Sequence, residues 1–166
     1  MNQAELVIDL DAYRHNIALV GGLAPSAELM AVVKANAYGH GMSDCAPAAR
    51  EAGAHWLGVA TPAEALALRD MGDRGPLLCW LAVPGAPFAE LISRNVDVTA
   101  SSPQQLHEIV SAGAKARVHL KVDTGLNRNG AARSQWNDLF SQAAAAHHAG
   151  KIEVVGLWTH LAAADQ

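Results

Sequence analysis

Along the chain, short runs rich in Val, Leu, Ile and Trp alternate with Ala-rich stretches, and this alternation predicts repeated strand–helix units. The runs at 28–33, 56–60, 77–81, 96–99, 117–122 and 153–158 read as strands. Leu29-Met30-Ala31-Val32-Val33 is apolar without alternation, the pattern of a parallel strand covered on both faces. Residues 5–10 behave differently, with Leu6, Ile8 and Leu10 on one side and Glu5, Val7 and Asp9 on the other, which predicts an additional strand belonging to a different sheet. Thr61-Pro62-Ala63-Glu64 and Ser102-Pro103-Gln104-Gln105 each place a hydroxyl cap, a first-turn proline and a Glu or Gln at the third position, so both predict helix starts with capping boxes. Gly53, Gly72, Gly113 and Gly150 stand where those helices should stop.

Two α/β architectures fit such a string, an open doubly wound sheet or part of a parallel (β/α)8 barrel of the TIM-barrel type. A barrel takes about 200 residues or more. On that reading, residues 1–166 form one domain holding an incomplete barrel of about six βα units.

Composition narrows the function classes. The chain is 51% hydrophobic with a formal charge of -4 and no basic stripe, so nucleic-acid binding lacks its electrostatic footprint. No apolar stretch reaches the roughly 18 residues of a membrane span, and residues 1–5 lack the basic segment of a secretory signal, so a soluble cytoplasmic protein is expected. Cys45 and Cys79 form no CxxC pair, which leaves a disulfide framework or cysteine-built metal site unsupported. Adjacent helical residues point about 100° apart, so His147-His148 reads as a polar helix end rather than a chelate, and no metal site is expected. Trp56, Trp80 and Trp158 fall on the strand runs and read as core or pocket wall.

Only four lysines occur, and Lys34 closes the apolar run at 29–33 ahead of a loop, Ala35-Asn36-Ala37-Tyr38-Gly39-His40-Gly41. The C-terminal ends of parallel strands open into the mouth where α/β proteins work, and a partly desolvated amine there can condense with an aldehyde. A lysine that snorkels from the strand end into solvent is the alternative.

The segment Ala31-Val32-Val33-Lys34-Ala35-Asn36-Ala37-Tyr38-Gly39-His40-Gly41 resembles the pyridoxal-phosphate lysine signature of the alanine racemases. Leu120-Lys121-Val122-Asp123-Thr124-Gly125-Leu126-Asn127-Arg128 is similar to that family's Lys-Val-Asp-Thr-Gly-Met-x-Arg element, and Trp158-Thr159-His160-Leu161-Ala162 to its Tyr-Thr-His-Phe-Ala. Ile8-Asp9-Leu10-Asp11-Ala12-Tyr13-Arg14-His15-Asn16 matches the usual opening, so the resemblance runs over the whole chain. It implies pyridoxal 5'-phosphate as cofactor, the N-terminal part of the racemase barrel as fold, and interconversion of L- and D-alanine for peptidoglycan supply as activity. The expected partner is the small amino acid itself, with a homodimer for the full-length enzyme and neither nucleic acid nor membrane.

The same resemblance implies roles position by position. Lys34 holds the cofactor covalently and then serves as one of two bases that exchange the α-proton. Tyr38 contacts the phosphate. Arg128 lies near the phenolic oxygen and orients the substrate; Lys121, its neighbour, is a lysine carbamylated in many members. His160 lies beneath the pyridine ring in its hydrogen-bond network. Leu126 replaces a Met, Asn129 an apolar residue and Leu161 a Phe, and none of these removes a functional group. The second base is implied to be a tyrosine of a C-terminal β-domain across a dimer, and this chain's tyrosines are Tyr13 and Tyr38. Alone, the chain is therefore expected not to racemise. Two other functions remain open, a non-catalytic pyridoxal-phosphate-binding barrel protein and a racemase of another small amino acid such as serine; an inert fragment is a third reading.

Overall fold

Helix α1 (Leu10–Leu23) starts at Asp9, whose Oδ1 accepts the backbone N–H groups of Asp11 and Ala12, each at 2.9 Å. This cap overturns the strand expected at residues 5–10, since Leu10 is already helical and residues 4–9 carry no regular element. The alternating pattern there has no buried face to serve, with Leu6 and Val7 79% and 74% exposed. A carboxylate at the N-cap, with Asp11 in the first turn, favours helix on both hydrogen-bonding and dipole grounds.

The computed structural model describes residues 4–164, and the chain divides into two compact units, Met1–Leu77 and Leu78–Gln166. In the first unit, α1 packs on α3 (Met42–Glu51). Strand β1 (Met30–Val32) runs into the short helical turn α2 (Lys34–Tyr38), and β2 (Trp56–Val59) precedes α4 (Pro62–Asp70). The two strands pair in parallel, Ala31 opposite Leu57. Val33, Cys45, Ala49, Leu57, Val59 and Ala65 are wholly inaccessible and belong to the core of this unit. Small alanines on α3 keep that helix close to its neighbours. Arg50 and the buried Arg69 converge on Asp73 at 2.9 and 2.8 Å, pinning the turn after α4.

The second unit comprises β3 (Leu77–Cys79) from Leu78 onward, α5 (Phe88–Ser93), β4 (Asp97–Ala100), α6 (Pro103–Ser111), β5 (Ala116–Lys121), α7 (Trp136–His148) and β6 (Ile152–Trp158). Its strands lie parallel and in chain order, β3 on β4, β4 on β5, β5 on β6. The register of β5 on β6 shifts between Val118 and His119, and His119 falls opposite Gly156. A Cβ at Gly156 would come within 2.5 Å of His119 Nδ1, so glycine is what lets that imidazole lie against β6. All six runs expected to be strands are strands, although Trp80 lies just past β3.

The helix signals hold with one difference. Thr61 and Glu64 form the full capping box of α4. At α6, Ser102 Oγ caps the Gln105 N–H, but the Gln105 carbonyl takes the N–H of Ser101 at 2.8 Å while its amide donates to the Ala82 carbonyl at 2.9 Å. The Gln amide has a donor to place as well as an acceptor, and that second bond moves it off the box. Gly53, Gly72, Gly113 and Gly150 follow their helices with φ from 71° to 99°. Among the described residues, no helix is long and apolar enough to cross a membrane.

Candidate active site

Lys34 lies two residues past the C-terminal end of β1, after Val33, and is part-buried. The loop expected after it is a single turn of left-handed helix. Ala35, Asn36 and Ala37 have φ/ψ of 51/47°, 54/47° and 53/47°, and Tyr38 has φ 55°. Left-handed turns of L-residues are disfavoured by Cβ–carbonyl contact, and asparagine tolerates them best of the ordinary side chains. The sequence meets this by using two alanines around Asn36 and leaving through Gly39 and Gly41, at φ 89° and 95°.

Hydrogen bonds hold the turn in place. The Ala37 N–H donates to the Val33 carbonyl at 2.9 Å and the Gly41 N–H to the Asn36 carbonyl at 2.9 Å. Asn36 Oδ1 accepts the Met42 N–H at 2.8 Å, joining the turn to the start of α3. The turn brings Tyr38 back beside Lys34, whose Nζ lies 5.6 Å from the centre of the phenol ring. Tyr38 itself is 59% exposed.

Glu64 reaches this turn from α4. Its Oε2 accepts the N–H groups of Ala60 and Thr61 at 3.0 and 2.9 Å, completing the capping box, while its Oε1 accepts the Ala35 N–H at 2.7 Å. Burial alone would raise the Glu64 carboxyl, but the hydrogen bonds from Ala35, Thr61 and Ala60 outweigh it and hold the group below the ordinary carboxylate value.

In the second unit, Lys121 is the last residue of β5 and only 4% exposed. Its Nζ lies 4.4 Å from the centre of the Trp158 ring, and it makes no carboxylate ion pair among the described residues. Desolvation pushes its ammonium below the usual lysine value, the nearby Arg128 charge pushes the same way, and Asp123 opposes both. Arg128 is exposed on the loop that follows, which is pinched at its base: the Asp123 N–H donates to the Ala131 carbonyl and the Ala131 N–H to the Lys121 carbonyl, each at 2.9 Å. Asp123 Oδ1 accepts the N–H groups of Gly125 and Asn127 at 2.9 and 3.1 Å, folding the loop back on itself. The hydroxyls of Thr124 and Thr159 meet at 2.9 Å and tie the loop to the segment after β6, which carries the exposed His160.

The structure thus gathers Lys34 with Tyr38, and Lys121 with Arg128. His160 takes no hydrogen bond among the described residues. Sequence reasoning missed the Trp158 ring over Lys121, the Asp123 cap and the reach of Glu64. An Asp-Thr-Gly run is a signal for the second, whereas nothing in the sequence signals the third.

Parallel βα units with an amine at one strand's C-terminal end and a guanidinium on a loop after another define a barrel-type α/β domain of the kind that works at its strand ends. Residues 8–166 match the family described as alanine racemase, N-terminal domain. The chain is 49% identical to an alanine racemase of Salinispora arenicola over 99% of its length and 45% of the relative's, and 51% identical to one of Frankia casuarinae over 96% and 42%. Among solved structures, alanine racemase from Streptomyces lavendulae superposes with TM-score 0.93 at 50% identity, covering 96% of this chain and 43% of that one. A histidine racemase from Leuconostoc mesenteroides superposes with TM-score 0.80 at 31% identity, over 92% and 41%. The chain belongs to the alanine racemase family, as its N-terminal, TIM-barrel-type domain. It spans about 45% of the length of the curated relatives it matches.

Proposed function

We propose that the chain is the lysine-bearing part of a pyridoxal-phosphate-dependent alanine racemase. The observation that carries this reading is Lys34 at the end of β1, followed by a left-handed turn that returns a phenol to its side. The donor set fits the cofactor: a primary amine for an aldehyde, a phenol for a phosphate oxygen, a guanidinium for an oxygen anion and an imidazole for a ring network. Lys34 would hold the group and carry the α-proton, Tyr38 would donate to its phosphate, Arg128 would face its phenolic oxygen, and His160 would lie beneath its ring. When bound, pyridoxal phosphate supplies the aldehyde that condenses with the amine, with loss of water, and the ring that takes up the electron pair left by the departing proton.

The Arg128 charge acts on Lys121 against that of Asp123, and among the described residues no carboxylate forms an ion pair with the lysine. A carbamate on Lys121 would convert that repulsion into an ion pair, and the lowered lysine value favours the neutral amine such a reaction needs. Alanine is the substrate by kinship, since the relatives at 49–51% identity are alanine racemases. A homodimer and a cytoplasmic setting go with that same reading.

The test is to incubate the chain with pyridoxal phosphate, reduce with borohydride and map the label by mass spectrometry. Attachment at residue 34, lost in Lys34→Ala, is expected; attachment elsewhere or nowhere sinks the proposal.

A further inference from the structure

We infer that Glu64 is a positioning residue for Lys34, its carboxylate holding the left-handed turn against the start of α4 so that the lysine amine has one fixed place from which to meet a carbonyl. The inference rests on the cofactor reading above but is carried by its own contacts. A capping-box glutamate needs one oxygen for the box. Glu64 spends Oε2 there, on Ala60 and Thr61, and gives Oε1 to the Ala35 N–H at 2.7 Å, the shortest of its bonds. Ala35 is the residue after Lys34 and the first with left-handed φ, at 51°.

The turn's own ladder has the Val33 and Asn36 carbonyls receiving the Ala37 and Gly41 N–H groups, and among the described residues the Ala35 N–H finds its acceptor in the Glu64 carboxylate. Charged acceptors bind backbone N–H groups more strongly than neutral ones do. A carboxylate is also the one side-chain group that accepts on both sides at once: a glutamine in its place would turn an amide donor toward either the Ala35 N–H or the Ala60 and Thr61 N–H groups.

The experiment compares wild type, Glu64→Gln and Thr61→Ala by the rate at which residue 34 takes up pyridoxal phosphate, read as borohydride-fixed label, with melting temperature recorded for each. Thr61→Ala removes the hydroxyl that caps α4 and bonds the Glu64 carboxylate, but leaves the Ala35 N–H and Glu64 Oε1 in place, so it reports what loss of the cap does without loss of that contact. Glu64→Gln is expected to slow labelling about 10- to 100-fold, the equivalent of one lost charged hydrogen bond, while Thr61→Ala lowers the melting temperature and leaves labelling within about 2-fold. Equal labelling in wild type and Glu64→Gln, or equal slowing in both variants, overturns the inference.

A second measurement covers a Glu64→Gln protein that does not fold. In wild type, the Ala35 amide resonance is expected to move with the titration of the Glu64 carboxyl, and an amide that ignores it overturns the contact and the inference with it. Absence of label on wild type, with the Ala35 amide still following Glu64, would count against the cofactor reading and not against the positioning role.

Discussion

Replacing Ala35 by glycine should stabilise this protein, although the same change in an ordinary helix destabilises. Ala35 sits at φ 51° and ψ 47° with its side chain exposed, so its methyl contributes strain and almost no burial. An L-residue in the left-handed region costs about 1–2 kcal/mol that glycine does not incur, and against this stands about 0.5–1 kcal/mol for the greater freedom of glycine in the unfolded chain. The Ala35 N–H bond to Glu64 is a backbone contact and survives the change. The net gain is between zero and about 1.5 kcal/mol, centred at about 0.75 kcal/mol, or a rise of about 1–3 °C in melting temperature at that centre for a chain of this size.

Ala18, exposed within α1, has right-handed geometry and should lose about 0.8–1 kcal/mol on the same substitution. Ala37, left-handed but only 5% exposed, gains the same relief as Ala35 and loses about 0.8 kcal/mol of methyl burial, leaving it near zero. Thermal unfolding followed by circular dichroism, with urea melts as a check, should therefore order the variants Ala35→Gly above wild type, Ala37→Gly level with it and Ala18→Gly below. An Ala35→Gly protein that melts as low as Ala18→Gly would show that the turn after Lys34 is not left-handed, and the account of how Lys34 is presented would fall with it.

Gly130→Ala should destabilise by about 2 kcal/mol or more, since its φ is +115° and a Cβ would stand 2.7 Å from the Val122 carbonyl carbon; urea unfolding at unchanged slope is the check. Acid should loosen the Arg128 loop before the strands. The Asp123 carboxyl is held low first by the Gly125 N–H and then by that of Asn127, so its contribution is present at neutral pH and is lost as pH falls through its depressed folded value. Amide exchange at Gly125 and Asn127 should quicken in that acid range, while the β5 amides stay protected. Lys121 should take up carbon dioxide: 13C-bicarbonate is expected to give a carbamate resonance that disappears in Lys121→Arg, and a resonance indifferent to that change would contradict the role given to Lys121.

The βα repeat was legible because parallel strands covered on both faces read as unbroken apolar runs, and because Thr61 and Ser102 announce the helices that follow them. Residues 5–10 misled for the complementary reason. Six residues of alternation are weak against a single carboxylate able to cap two N–H groups, and nothing in the pattern reports that Leu6 and Val7 have no face to cover. The hand of the turn after Lys34 was illegible: alanine is the strongest right-handed helix former, so Ala-Asn-Ala argues locally against the conformation it adopts.

What overrides that propensity lies elsewhere in the chain, in the Met42 N–H that donates to Asn36 Oδ1 and above all in Glu64. The capping box predicted one duty for that glutamate, and the sequence carries no mark of the second. The motif around Lys34 and the helix start at Thr61 thus read as separate features, one chemical and one structural, when a single carboxylate makes the second a support of the first. A left-handed turn of ordinary residues persists only where its surroundings over-determine it, and here the over-determining contact is also the one that fixes the residue next to the reactive amine.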